Sequence, residues 1–600
     1  MAKERAGRNA LLVNSGDGPG GPALRQFLAS LERCYVRQDD HLAKTGPARP
    51  ADHRRNLYSL QLANLRLRWL RTGAMLPQIT VIGPTQAGKS SVINWLLGEN
   101  AAVASPLAGF TRHPQGFAYG GEGEAVTALY RYFDPLQARR VADLPAEDFR
   151  FFGFEPMPAR LPRLGLAVTV WDTPDFDSID SERYRGGLLR AIALSDLLIC
   201  VLSKDKYADQ SVWELLAMIE PLGIPSFICL NKTPPATAET VVRSLGGKWR
   251  QVRSDAMPPI VTLPYLGGNA SEPPGVDALV ETTRTLLRQT DRSRQCLGLM
   301  RFVRANWESW LAPVRVEQQA QQEWRALVGR AIGSASRLYR RDYLDHPHHY
   351  ETFQRALAEL LTLLEIPGVA RVLTQMRRIM TWPVRQLGQL GRRWRPDAAN
   401  LGSERSVLQQ IALHVMLTLR QEVAEIAETA TETRPWWLAL GREIGHRQAA
   451  VLDRFSQAVS TYSREFGPEV EKTAHALYDR LREHPAVLNS LRATRVTTDA
   501  AALAVGLHTG GIGLQDFVIA PAILSLTSLL TESALGHYVQ RAAEDLKKRQ
   551  AAAVSGLFED HLAANLLRAP EDMPHDTGFF IPAGTLEAAE RELAAAPGTP

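Results

Sequence analysis

Cysteine is scarce in this chain: four in 600 residues, Cys34, Cys200, Cys229 and Cys296, far apart and with no C-x-x-C. That pattern excludes a zinc site or a disulfide framework and points to a reducing compartment. Long apolar runs are missing as well, since no uncharged stretch reaches the ~18–20 residues of an independent membrane span. The opening Met1-Ala2-Lys3-Glu4-Arg5 is followed by no apolar core, so it does not read as a secretory signal. No fixed-period repeat runs through the chain. Neither sign of charge dominates: 69 Lys and Arg against 64 Asp and Glu leave a net charge of +5, which permits an anionic partner without identifying one. With 45% hydrophobic and 22% charged residues, wholesale disorder is excluded. The expectation is a cytoplasmic protein, with peripheral contact at the inner face of a membrane left open.

The chain is too long for one core and implies several domain-sized units. Residues 1–21 read as a flexible leader ending in Gly16-Asp17-Gly18-Pro19-Gly20-Gly21. Helical patterns follow within 22–75, where Leu57, Leu60, Leu62, Leu65, Leu67 and Leu70 crowd one face, as in a helix packed on others further along the chain. From 76 to 292, apolar runs at Ile79–Ile82, Leu166–Trp171, Leu197–Leu202, Ser226–Leu230 and Ile260–Leu263 alternate with helical stretches. Such alternation predicts an α/β domain with a mostly parallel sheet and helices on both faces. Beyond 292 strand signals stop, and amphipathic patterns across 293–569 predict a large all-α bundle or stalk. The last segment, 570–600, reads as a weakly ordered tail.

What the first strand leads into carries the chemistry. Gly83-Pro84-Thr85-Gln86-Ala87-Gly88-Lys89-Ser90 fits G-x-x-x-x-G-K-[ST], between the strand at Ile79–Ile82 and a helix opening at Ser91. A strand–loop–helix unit of this kind turns backbone N–H groups and a helix N-terminus toward one point, where a polyphosphate is held. Lys89 would reach the phosphates and Ser90 would ligate Mg²⁺. Val168-Thr169-Val170-Trp171 ends in Asp172, placed to hold the same Mg²⁺ through water; otherwise it is a solvated turn residue. Thr111, in the loop Pro106-Leu107-Ala108-Gly109-Phe110-Thr111-Arg112, is placed to sense a γ-phosphate through the metal, or is an ordinary loop threonine. For hydrolysis, Thr85, Gln86 and Thr111 are the catalytic candidates, with Arg112 as an internal positive charge.

Taken in order, Gly83–Ser90, Thr111, Asp172 and Asn231-Lys232 resemble the motif series of the GTPase branch of P-loop NTPases. The resemblance implies bound GTP and Mg²⁺, with Asn231 and Lys232 reading guanine after their strand. Two positions depart from it. D-x-x-G is here Asp172-Thr173-Pro174-Asp175, and N-K-x-D is Asn231-Lys232-Thr233-Pro234. The glycine whose N–H meets the γ-phosphate is therefore absent, and so is the carboxylate that pairs with the guanine edge. The wider layout, helices before the G domain and a long helical half after it, resembles bacterial dynamin-like GTPases. That resemblance implies homo-oligomers and lipid contact.

Two further segments bear on partners. Uncharged runs at residues 500–515 and 517–531 would form a hairpin, either dipping into one leaflet or buried in the bundle. Residues 371–395 hold seven arginines and no acidic residue, interleaved with Trp382 and Trp394. They suit an anionic membrane surface or, alternatively, RNA phosphates with tryptophans for stacking, and they would equally pair with acidic helices nearby. Asp345-His346-Pro347-His348-His349 reads as a polar loop rather than a metal site, since the proline breaks ligand spacing.

Overall fold

The computed structural model describes residues 19–45, 51–72, 76–103, 111–120, 123–158, 161–176, 181–253, 256–264, 272–345, 351–363, 404–485, 536–574 and 578–596. The chain divides into two units, residues 1–315 with 578–600, and residues 316–577.

In the first unit, helices α1 (Pro22–Thr45) and α2 (Ala51–Leu70) precede strand β1 (Gln78–Ile82) and helix α3 (Lys89–Leu97). Then come β2 (Gln115–Tyr119), α4 (Glu124–Phe133), β3 (Gln137–Arg139), β4 (Phe151–Pro156), β5 (Val168–Asp172), α5 (Ser181–Ala193) and β6 (Leu197–Ser203). The α/β part closes with α6 (Gln210–Ile219), β7 (Ser226–Thr233), α7 (Pro235–Val252), β8 (Ile260–Pro264) and α8 (Val276–Arg288). The sheet runs β3-β4-β2-β5-β1-β6-β7-β8, and only the β2–β5 pairing is antiparallel. β1, β5 and β6 are buried along their whole length because helices cover both faces, which is why they read as continuous apolar runs.

All five strands expected from the sequence are present. The three not foreseen, β2, β3 and β4, have local reasons for being hard to read. β2 contains Gly116, where a Cβ would lie 2.7 Å from the Trp171 ring, so the missing side chain makes room for that indole. β3 is three residues long with a polar, largely exposed sequence, and β4 carries Gly153 and ends at Pro156.

One face of the sheet packs Ile79, Val81, Val170 and Ile199 against Val92, Ile93 and Leu96 of α3 and Leu279 of α8. The other face joins a single core with the flanking helices: Trp171, Leu198 and Leu202 belong to the same cluster as Leu28 and Leu60 of α1 and α2. Helix α9 (Arg292–Tyr339) adds Phe302, Trp310 and Leu311 to that cluster. Arg66 of α2 is fully buried there, its guanidinium donating to Ala193 O at 2.8 Å and Ser195 O at 2.6 Å. Those two carbonyls close α5 and lead into β6, so one cation anchors α2 to the sheet.

The weakly ordered tail expected from 570 is corrected here. Residues 583–595 form a helix whose Leu586, Ala589 and Leu593 are buried in the same core, beside Phe579. Its Glu592 carboxylate accepts from the backbone N–H groups of Ala23 at 3.2 Å and Leu24 at 2.7 Å, capping α1 from the far end of the sequence. An Ala/Glu-rich composition hides the stripe that does this; its spacing of three and four residues is that of one helical face.

The described elements of the second unit are all helices. That unit takes the later part of α9, then α10 (Glu351–Leu363), α11 (Glu404–Thr429), α12 (Arg434–Glu465), α13 (Gly467–Arg482) and α14 (Gly536–Phe558). Leu408, Ile411, Val415, Leu419 and Val423 form the buried stripe of α11. Gly467-Pro468 separates α12 from α13, because Pro468 supplies no N–H to continue the earlier helix. Glu404 is held by donors from three other helical segments: Tyr339 Oη at 2.6 Å, Tyr462 Oη at 2.8 Å and Gln550 Nε2 at 2.8 Å. No helix among the described residues is long and apolar enough to cross a membrane. The apolar segments at 500–531, the arginine-rich segment 371–395 and His346, His348 and His349 lie outside the described residues.

Candidate functional site

The P-loop lies between the C-terminal end of β1 and the first turn of α3, where an open parallel sheet presents its ligand crevice. Its shape depends on its two glycines. A Cβ on Gly83 would lie 2.4 Å from Val201 O, so only glycine lets the loop pass β6. Gly88 sits at φ +93°, and a Cβ there would lie 2.3 Å from Asn231 Nδ2. Gln86 is also left-handed, at φ +61°. Ala87 N–H donates to Pro84 O at 3.3 Å and Val92 N–H to Gly88 O at 3.1 Å, carrying the turn into α3.

Asn231 is buried, at 3% exposure. Its Nδ2 donates to Ala87 O at 3.0 Å, while its Oδ1 accepts from Lys232 N–H at 2.9 Å. Lys232, with φ +55°, extends Nζ to Gln86 O at 2.9 Å. The end of β7 thereby clamps the P-loop through two of its carbonyls. Thr173 secures the other side, its hydroxyl donating to Val81 O at 2.8 Å.

Ser90 and Asp172 meet as expected of two groups that share a cation. The Ser90 hydroxyl donates to Asp172 Oδ2 at 2.6 Å, and Asp172 Oδ1 is buried without a hydrogen-bond partner. A buried carboxylate oxygen beside a hydroxyl is the donor set Mg²⁺ takes, so these residues fit the metal. Burial pushes the Asp172 carboxyl up to about 6, against the downward pull of the Lys89 ammonium and the Ser90 hydroxyl. Lys89, at 6% exposure, donates to Gly83 O at 3.1 Å and Pro84 O at 3.3 Å and forms an ion pair with Asp175.

The remaining candidates are less closely joined. Ser91 follows Ser90 in the first turn of α3, Thr85 is half-buried and Gln86 is exposed on the loop. Thr111 is half-buried, and among the described residues no hydrogen bond ties it to Ser90 or Asp172. Arg112 is directed elsewhere, to the Glu147 carboxylate at 2.6 Å and Ala146 O at 3.2 Å. His113 adds a 2.7 Å hydrogen bond between Nε2 and Pro145 O, so this segment is tied to the loop before β4. Sequence reasoning missed the contact of Asp175 with Lys89. The signal was present, as a carboxylate where D-x-x-G has its glycine. Cys200 and Cys229, on adjacent strands, are buried, and burial pushes the Cys200 thiol up to about 12, which makes it inert. Among the described residues no group of three or more His, Cys, Asp or Glu forms a metal cluster.

Residues 78–232 match the family model described as 50S ribosome-binding GTPase. GTPase Der of Rhodopseudomonas palustris is 23% identical over 207 residues, which are 34% of this chain and 36% of that protein. GTPase Der of Lachnospira eligens is 31% identical over 99 residues, 16% of this chain and 21% of its own. Well under half of either relative is spanned. A structure of Era in complex with MgGDPNP and nucleotides 1506–1542 of 16S ribosomal RNA is 16% identical, with TM-score 0.24, covering 36% of this chain and 57% of that one. A structure of an oligomerised bacterial dynamin pair, described as a mechanism for long-range sensing and tethering of membranes, is 11% identical with TM-score 0.34, covering 92% of this chain and 97% of that one. Residues 78–232 are thus a GTPase-type G domain. Helices precede that domain in the chain and a large helical unit follows it.

Proposed function

We propose that this protein binds GTP with Mg²⁺ and hydrolyses it slowly, coupling nucleotide state to self-assembly or to association with an anionic membrane surface, as bacterial dynamin-like GTPases do. The observation that carries the nucleotide assignment is the convergence of Lys89, the Ser90–Asp172 pair and the Asn231 clamp on one loop. Gly83, Gly88 and the backbone N–H groups between them cradle the phosphates, and Lys89 neutralises them. Ser90 and Asp172 hold Mg²⁺, which when bound neutralises charge developing on the phosphates. Thr111 senses the γ-phosphate through the metal, while Thr85 and Gln86 lie within the loop where they can reach the transferring group. Slow turnover fits the replacement of the D-x-x-G glycine by Asp175, whose side chain hinders close approach of that backbone N–H to the γ-phosphate.

Coupling to the helices is supported by the shared core of the first unit, in which α2, α9 and the C-terminal helix pack with the sheet that carries the site. A second possibility, an RNA- or ribosome-associated GTPase, is favoured by the description of the matching family model and by the arginines of 371–395. A third is a non-hydrolysing scaffold that binds nucleotide structurally.

Phosphate release, measured over a range of protein concentrations, with anionic liposomes and with RNA, separates the three. We expect the specific rate to rise with protein concentration and with liposomes, and the protein to float with them. Retention by RNA with no flotation would favour the second possibility. GTP binding without phosphate release under any of these conditions would leave the scaffold.

A further inference from the structure

Lys89 has three N–H donors, as every lysine does, and all three are engaged: by Gly83 O at 3.1 Å, Pro84 O at 3.3 Å and the Asp175 carboxylate. The ion pair lies out of water, with 6% of the lysine and 8% of the aspartate side chain exposed. A phosphate that is to be held by this lysine must therefore replace one of the three acceptors. The two carbonyls belong to the P-loop backbone, whose path is set by Gly83 against Val201 O and by the Asn231 clamp on Ala87 O. Asp175 hangs on two side-chain torsions in the loop beyond β5, three residues after Asp172. It is the acceptor that can leave.

Resting on the assignment of this loop to nucleotide, we propose that Asp175 is an internal anion that competes with the terminal phosphates for Lys89. A glycine at this place would bring only its backbone to a γ-phosphate; the aspartate adds a carboxylate, which pairs with the cation that a phosphate needs. Triphosphate entry then requires the Asp175 side chain to swing away from Lys89. Two like charges also cannot share the position: a triphosphate beside both Asp172 and Asp175 is repelled until Asp175 withdraws. The competition lowers apparent affinity by the fraction of molecules in which Lys89 is already taken.

The test is equilibrium binding of a fluorescent GTP analogue, with Mg²⁺, to the full chain carrying Asp175→Asn or Asp175→Ala. Asp175→Asn keeps the shape and removes the charge; Asp175→Ala removes both. Each is expected to bind about tenfold more tightly than wild type, as when a blocked site is freed. Without nucleotide, both are expected to melt at a lower temperature than wild type, because Lys89 is left buried and unpaired. Equal or weaker binding by both variants, with cooperative melting showing that they fold, would overturn the proposal while leaving nucleotide binding intact. Should Asp175→Ala not fold, Asp175→Asn alone decides. Failure of wild type itself to bind the analogue would instead bring down the nucleotide assignment, and this proposal with it.

Discussion

The two ends of the nucleotide crevice are built differently. At the phosphate end, recognition rests on backbone: two glycines with no room for a Cβ, a left-handed turn and a helix N-terminus, backed by Lys89, Ser90 and Asp172. At the base end, Asn231 and Lys232 spend their polar groups on Ala87 O and Gln86 O, and Thr233-Pro234 stand where a carboxylate would read guanine. On the proposed reading, the first end accepts any nucleoside polyphosphate. The second supports the loop more than it selects a base. Affinity and base choice should therefore separate cleanly on mutation.

Lys89→Ala should have the largest effect, weakening GTP binding on the order of a hundredfold through loss of about 3 kcal/mol of charge-assisted bonding. Asp172→Asn comes next. It should remove most of the Mg²⁺ dependence of binding, read as the ratio of affinities with and without chelator, since the amide is a poor ligand for a hard cation. Asn231→Ala frees the Ala87 carbonyl and loosens the loop, so GTP and ATP should weaken together by roughly tenfold, about 1–1.5 kcal/mol for a hydrogen bond to a buried group. A change in the GTP-to-ATP ratio in that variant would show that Asn231 touches the base, and would erase the difference between the two ends. Pro234→Asp sharpens it from the other side. The new residue takes the N-cap of α7, a position aspartate favours. Restoring the carboxylate should raise the GTP-to-ATP preference by about tenfold, with little change in phosphate affinity.

Much of the α/β fold was legible because its central strands are buried on both faces and so appear as unbroken apolar runs, as in Leu197–Leu202. The edge strand β3 and its neighbour β4 were not, since a three-residue polar piece and a run broken by Gly153 carry no such pattern. The helix at 583–595 was missed for a related reason. Its stripe of Leu586, Ala589 and Leu593 is thin, and the partner that gives it meaning, α1, lies at the other end of the chain. At the site, Lys89, Ser90 and Asp172 could be read from spacing because the chemistry fixes the spacing. For Asp175 the sequence showed the carboxylate in the place of a glycine, but no spacing rule fixed its partner, Lys89, 86 positions away. Arg66 was invisible for the same kind of reason: nothing local marks a guanidinium that will be buried against the carbonyls of Ala193 and Ser195.

The most direct test of the account is a calorimetric titration of GTP into the wild-type protein, with Mg²⁺ and again with a chelator. One saturable site in Mg²⁺, clearly weakened by chelation, is the predicted result. No saturation up to millimolar GTP, or the same affinity with the metal removed, would contradict it.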